Sequence, residues 1–318
     1  VSQRKSSRTV WYRRRARRLE YASVTPFLSP SSETKVFGIF GDPIHHSLSP
    51  QMHHAAFQAL DLPHVYLPFH IRPNRLKEAV HAMRVLNIQG LNVTIPHKEK
   101  IMPYLDEIDS VAQKIGAVNT IKNEGGRLIG FNTDGLGFVA SLAEAGIDPA
   151  KRAILLIGAG GAAKGVAMAL LAAGSSEIHI CARRQIAAED LANRLKKCAT
   201  QNTITARAYT PGAEISLETE KPLLLVNTTP LGMKKEDILP FPISKINAEW
   251  VVADLIYRPY ETPLLLAAKK IGAITVPGLG MLLHQGTLAF EIWTGLKAPT
   301  KIMEQALWKA FSKDKLSA

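Results

Sequence analysis

The chain has 318 residues, of which 46% are hydrophobic and 21% charged, and its formal net charge is +12. That length leaves room for two domains with full-sized cores, and the composition excludes fibrous and wholly disordered classes. No apolar run reaches the ~18 residues of a membrane helix, and the two cysteines, Cys181 and Cys198, have neither metal-ligand spacing nor the numbers of a disulfide framework, so a reducing, cytoplasmic setting is expected.

The charge is unevenly placed. Residues 1–35 hold nine Lys/Arg against Glu20 and Glu33, a local +7, which leaves the remainder mildly basic at +5. An Arg-rich, Ser-rich, acid-poor stretch is compatible with an organellar transit peptide or with a basic arm on nucleic acid. It has no apolar h-region, however, and Pro26 to Ser32 reads as linker. Residues 1–35 are therefore expected to be a basic, disordered tail, a solvated extension or a start placed upstream of the folded body. Neither nucleic acid nor membrane is the expected partner.

Lys35 to Gly41 reads as the first strand, followed by a turn at Asp42-Pro43. Ser49 before Pro50 is expected to cap a helix whose apolar stripe is Met52, Ala55, Ala56, Ala59 and Leu60, which leaves Ser47 free in the loop. His45, His46, His53 and His54 lack a cysteine or carboxylate constellation, so no metal is expected and the histidines should be partly exposed. His64 to Phe69 alternates as a second strand, and Asn74 to Leu86 as a helix.

In Ile88 to Ile95 the aliphatic Leu91, Val93 and Ile95 alternate with Asn92 and Thr94. A strand here packs three apolar side chains on one face and presents an amide and a hydroxyl on the other, towards a cleft or towards solvent. Pro96 ends it and delivers Lys98 past its carboxyl end, where ligands of open α/β sheets bind. Residues 106–115 look helical, and Ala117 to Ile121 with Leu128 to Phe131 read as a hairpin around Gly125-Gly126. Asp134 then stands where it would cap the helix that runs to Ala145.

Ala153 to Ile157 is an all-aliphatic strand running into Gly158-Ala159-Gly160-Gly161-Ala162-Ala163 and a helix of small residues. Gly158, Gly160 and Ala163 satisfy the dinucleotide fingerprint, with a strand before and a helix after, so the helix amino terminus is expected to face a pyrophosphate. The next strand, Glu177 to Cys181, ends at Ala182-Arg183-Arg184. A NAD site carries an acidic residue about 20 positions past the fingerprint, and an arginine there suits the 2′-phosphate of NADP. Leu223 to Thr228 and Trp250 to Leu255 are further buried strands, followed by a helix (Thr262 to Ile271) and a last strand (Ala273 to Val276). Gly278-Leu279-Gly280 breaks the pattern, and helices over Met281 to Gly295 and Pro299 to Phe311 have no strand to cross to, so they are expected to return to the first unit.

Ser47-Leu48-Ser49-Pro50, Asn92 to Lys98, Gly116 to Thr120, Asn132-Thr133-Asp134-Gly135, Gly158 to Ala162, and Gly278 to Leu282 with Gln285 occur in one ordered series from Val36 to Phe311. In that series the chain resembles the shikimate dehydrogenase family of the shikimate/quinate dehydrogenases. The resemblance implies an α/β fold of two domains, an interrupted substrate domain (36–133 and 278–318) around a Rossmann-like NADP-binding domain (134–277). It implies reversible NADPH-dependent reduction of 3-dehydroshikimate to shikimate, in aromatic amino-acid biosynthesis, by a monomer or homodimer. Ser47, Ser49, Asn92, Thr94, Lys98, Asn119, Asp134, Tyr257 and Gln285 would hold the substrate, with Lys98 as acid/base and Asp134 beside it. Gly158, Ala159, Gly160, Gly161, Ala162, Arg183, Arg184, Thr228, Leu255 and Gly278 would hold the cofactor. The family's usual Asn-Arg-Thr at the 2′-phosphate loop is Ala182-Arg183-Arg184 here, and Lys164 stands where an arginine is common.

Three other functions fit parts of the sequence. A catabolic quinate/shikimate dehydrogenase is disfavoured by Ser47, Ser49 and Arg183, and a methylene-tetrahydrofolate dehydrogenase by the paired serines and the Asp134 motif. A nucleic-acid or membrane-surface binder would act through the basic tail.

Overall fold

The computed structural model describes residues 31–315 apart from 216, 218 and 235, so the basic stretch up to residue 30 lies outside the described residues. Among the described residues the strands form two six-stranded sheets, and no helix is long and apolar enough to cross a membrane.

The first sheet takes β1 (Val36–Gly41), β2 (Val65–His70), β3 (Gly90–Val93), β4 (Glu107–Ile108), β5 (Thr120–Glu124) and β6 (Arg127–Phe131) in the order β2-β1-β3-β5-β6-β4. Helices α1 (Ser49–Ala59) and α2 (Leu76–Val85) carry the chain back between strands, which is why β1 runs parallel to both β2 and β3. The hairpin turns at Gly125 and Gly126, both at positive φ, and makes β5 antiparallel to β6 and to β3. The helix expected from residue 106 starts only at Ser110, as α3 (Ser110–Ile115), because Glu107 and Ile108 pair with β6 and Asp109 caps with its carboxylate. The third strand is also shorter than its alternation suggests. β3 ends at Val93, and Ile95, expected in the core, is 60% exposed because the chain has already left the sheet.

The second sheet follows α4 (Asp134–Glu144). It comprises β7 (Ala153–Ile157), β8 (Glu177–Ala182), β9 (Thr203–Ala208), β10 (Leu223–Asn227), β11 (Val251–Asp254) and β12 (Ile274–Val276), joined in part by α5 (Gly161–Ala172), α6 (Gln185–Cys198) and α7 (Pro263–Ile271). Its order is β12-β11-β10-β7-β8-β9 and every pairing is parallel. The central strands are buried along their whole length, as their aliphatic runs require. The sequence patterning does not reveal β9, because as an edge strand it buries only Ile204 and carries no aliphatic run.

Helices α8 (Gly278–Thr294) and α9 (Thr300–Lys315) return to the first sheet. Leu279, Leu283, Phe290, Trp293, Met303 and Leu307 share one core with Phe37, Met52 and Phe57. Trp293 Nε1 donates to the Ile121 carbonyl at 2.9 Å. Gly278-Leu279-Gly280, expected as a break, is the first turn of α8, since a glycine there lets the helix start against the Leu255 carbonyl. Between the sheets α4 packs closely on two helices, because a Cβ on Gly135 would collide with the Gly165 carbonyl and one on Gly137 would lie 2.6 Å from the Gln285 nitrogen.

Candidate active site

The chain leaving β3 makes a tight turn in which His97 N donates to the Thr94 carbonyl and Ile101 N to the His97 carbonyl, both at 2.9 Å. Buried Ile101 anchors the turn. This projects Lys98 towards α4, where its Nζ lies 2.5 Å from Asp134 Oδ2, with the two side chains only 14% and 5% exposed. Asp134, expected to cap α4, does not. Instead Thr133 holds the cap position and Asp134 is the first helical residue. An ammonium and an amide occupy the two carboxylate oxygens of Asp134, Lys98 on one and Asn119 Nδ2, at 2.9 Å, on the other. The first N–H groups of the helix find other acceptors, Thr133 N on Asn119 Oδ1 at 2.8 Å and Asp134 N on Asn132 Oδ1 at 3.1 Å.

Asn119 is the hub of this floor. Its Nδ2 also donates to Thr133 Oγ1 at 2.9 Å and reaches Gln285 Oε1 at 3.5 Å, and its Oδ1 accepts from Thr120 Oγ1 at 3.0 Å. Asn92 Nδ2 donates to the Asn119 carbonyl at 3.3 Å and to Thr120 Oγ1 at 3.2 Å, while Asn92 Oδ1 accepts from the Tyr66 phenol at 2.7 Å. Burial pushes the Tyr66 phenol well above its usual range, a bond with the Ser49 hydroxyl draws it partly back, and nearby Tyr257 adds to the rise. Ser49 thus turns its hydroxyl to Tyr66 and does not cap α1. It is buried, and its own N–H is accepted by Ser47 Oγ at 3.3 Å. Thr94 and Tyr257 are half-buried at the edges of the same region.

Tyr66 and Asp254 carry parts of this arrangement that no sequence motif singles out. A lone tyrosine in a strand whose phenol needs a buried partner is the available signal for the first. His53, expected to be partly exposed, is fully buried and stacks on Tyr66 with ring centroids 4.5 Å apart. Burial, with His54 adding, pushes its pKa down to about 3, so the ring is neutral and packs as an aromatic. Among the described residues no three His, Cys, Asp or Glu side chains gather as a metal site.

The second sheet supplies the opposite wall. β7 runs into Gly158 at φ +117°, where a Cβ would collide with Thr228 Oγ1, itself donating to the Ile157 carbonyl at 2.7 Å. Gly160 caps α5 without a side chain, and a Cβ on it would meet nothing within 4 Å. The first turn of α5 has no side-chain cap and no acidic residue, an arrangement suited to an anion. Buried Ala159 and half-buried Ala162 complete the loop, and Arg183 and Arg184 stand exposed after the neighbouring strand β8. These residues fit a dinucleotide phosphate with a 2′-phosphate. The loop also abuts Lys98, since a Cβ on Gly161 would lie 3.1 Å from Lys98 Cβ.

At the end of β11 Leu255 and Tyr257 are half-buried, and Gly278 lies against the Leu255 backbone. Buried Asp254 secures this corner, accepting from Asn227 Nδ2 at 3.1 Å, Ile256 N at 3.0 Å and Thr262 Oγ1 at 2.8 Å. Burial outweighs these bonds and pushes its carboxyl up to about 6. The structure thus joins Asn92, Lys98, Asn119, Asp134 and Gln285 in one hydrogen-bonded set and lays the glycine loop against Lys98.

Residues 39–121 match the shikimate dehydrogenase substrate binding domain, 141–214 the shikimate/quinate 5-dehydrogenase family, and 278–307 the shikimate 5′-dehydrogenase C-terminal domain. The shikimate dehydrogenase (NADP(+)) of Desulforamulus reducens is 46% identical over 288 residues, covering 89% of this chain and 98% of that protein. A shikimate dehydrogenase crystallised with NADP+ superposes with a TM-score of 0.79 at 40% identity, covering 89% of this chain and 98% of the other. The shikimate 5-dehydrogenase of Thermus thermophilus, in complex with NADP(H) and shikimate, has a TM-score of 0.75 at 36% identity, over 87% of this chain and 99% of its own.

Proposed function

This chain belongs to the shikimate dehydrogenase family, and we propose that its cleft reversibly reduces 3-dehydroshikimate to shikimate with NADPH, with Lys98 handling the proton. The observation that carries the reading is the pair of Lys98 and Asp134 at 2.5 Å, bound by Asn119 on one side and touched by the glycine loop on the other. Bound NADPH supplies the hydride. The protein must then deliver a proton to the oxygen of the carbon being reduced, and take it back in the reverse direction. Lys98 Nζ is the mobile-proton group of the cleft, and Asp134 Oδ2 orients it without leaving the helix start.

The substrate's carboxylate only accepts, so the hydroxyls of Ser47, Ser49 and Tyr257 suit it. Its hydroxyls donate and accept, which suits Asn92, Thr94, Asn119, Gln285 and Asp134. The cofactor's pyrophosphate would lie on the α5 amino terminus over Gly158 to Ala162, beside Thr228. Its 2′-phosphate would meet Arg183 with Arg184 near, and its nicotinamide end would lie towards Leu255 and Gly278.

In this reading residues 36–133 and 278–318 form the substrate domain and 134–277 the dinucleotide domain, with Asp134 and Tyr257 reaching the substrate from the second and Gly278 the cofactor from the first. The two-sheet topology and the return of α8 and α9 to the first core support it. The enzyme acts in the cytoplasm as a monomer or homodimer. The deciding assay is NADP reduction with shikimate and with quinate, repeated with NAD. Turnover with quinate and NAD at the expense of shikimate and NADP would replace this reading with the catabolic one.

A further inference from the structure

We propose that Lys164 is a positioning residue that fastens the Lys98 turn to the dinucleotide helix through Glu99, an inference that rests on the proton role given to Lys98 above. The twelve residues of α5, Gly161–Ala172, read GAAKGVAMALLA, and Lys164 is the one charged side chain in that sequence. Its side chain is only 9% exposed. A buried ammonium is costly unless it is paired, and this one meets Glu99 Oε2 at 2.7 Å. Glu99 is the residue next to Lys98. The pair therefore joins the first turn of the helix expected to bind phosphate to the turn that carries the proton donor.

A second link runs beside it. Asp190 Oδ2 of α6 lies 3.9 Å from Lys164 Nζ and 3.0 Å from Arg194 Nε. The Arg194 guanidinium packs on Gly116, where a Cβ would lie 2.8 Å from it. Gly116 is the left-handed end of α3 and opens the segment leading to Asn119. The turn bearing Lys98 and the segment bearing Asn119 are thus both held by cations or carboxylates of the second sheet's helices. Misplacing a reacting group by about 1 Å can cost on the order of a hundredfold in rate, so a tether at this point acts on turnover more than on binding.

The test compares Lys164→Met, Lys164→Arg, Glu99→Gln and the Lys164→Met/Glu99→Gln double variant in the full chain. Lys164→Met and Glu99→Gln should each lower kcat by roughly ten- to a hundredfold and shift the KM for shikimate and for NADP by less than about threefold. Lys164→Arg should restore most of the loss, and the double variant should be no slower than the worse single one. Amide exchange across residues 97–101 should quicken in both single variants. If Lys164→Met fails to fold, Glu99→Gln, which alters a half-exposed side chain, decides alone. A raised KM for NADP with kcat kept would make Lys164 a phosphate ligand and overturn the tether, as would multiplying losses in the double variant or unchanged exchange at 97–101. If Lys98→Ala keeps its turnover, the proton assignment falls by itself, and the exchange measurement still decides whether Glu99 and Lys164 hold the turn.

Discussion

The Tyr66 phenol donates to Asn92 Oδ1 at 2.7 Å, and Tyr66 is fully buried beneath the residue it orients. The bond fixes which way the Asn92 amide faces, leaving Nδ2 towards Thr120 and Asn119. Tyr66→Phe keeps the ring stacked on His53 and removes the hydroxyl that donates to Asn92 and bonds with Ser49. Losing a buried hydrogen bond costs roughly 1 to 3 kcal/mol, so the KM for shikimate should rise by about tenfold with kcat little changed. Steady-state kinetics on the purified variant check this, and an unchanged KM would mean that Asn92 needs no such support.

Lys98→Ala should lower kcat by roughly 10² to 10⁴ while changing the KM for shikimate much less, since the interaction it removes belongs to the transition state. Asn92→Ala and Ser47→Ala should act mainly on KM. A Lys98→Ala enzyme that turns over normally and binds shikimate poorly would demote the lysine to a ligand.

Arg183→Ala should weaken NADP by about ten- to a hundredfold and leave NAD nearly untouched, the effect of losing a charge-assisted bond of roughly 1.5 to 3 kcal/mol to the 2′-phosphate. Measured dissociation constants for both cofactors settle it. Equal losses would remove the assignment, and Arg184→Ala in parallel separates the two cations.

Asp254 sets a pH dependence of stability. Its folded pKa is raised to about 6 from 3.8, so the native state holds the proton more tightly than the unfolded chain does. The stability this gives is complete below about pH 4 and is lost as pH rises through about 6, a difference of about 3 kcal/mol. Asn can keep the acceptor for Ile256 N and donate to Thr262, and it does not titrate. The stability of wild type relative to Asp254→Asn should therefore fall between pH 4 and 7 in denaturant melts, and a constant difference would show that Asp254 does not titrate in that window.

The sheet strands of the second unit were legible because Ala153 to Ile157 and Leu223 to Asn227 are aliphatic at every position but the last of β10, a pattern that only a doubly covered strand tolerates. The glycine loop was legible for the same reason of place, lying between such a strand and a helix. Local rules failed at the site itself. Ser49 and Asp134 both stand where a helix cap belongs, and each turns its side chain to a partner distant in sequence, Tyr66 and Lys98. Capping is a near-neighbour preference, and a buried ammonium or phenol outweighs it. Ile95 is misread because alternation continues past the residue at which pairing stops, and nothing local marks Val93 as the last paired position.

Helices α8 and α9 close the core of the first sheet from the far end of the chain. During synthesis Phe37, Met52 and Phe57 emerge before the residues that cover them, and the whole second sheet is made in between. Trp293 must travel back to the Ile121 carbonyl, and Gln285 to Asn119, across 172 and 166 positions of sequence. Such long closures are slow to form and leave apolar surface open while they wait. The second sheet, whose strands pair only with one another, can assemble first, and the substrate floor is completed only once α8 and α9 have followed. A chain stopped after residue 277 and free of the ribosome should accordingly hold the strands of the second sheet, lack Gly278 of the cofactor wall, and leave Phe37, Met52 and Phe57 uncovered by α8 and α9.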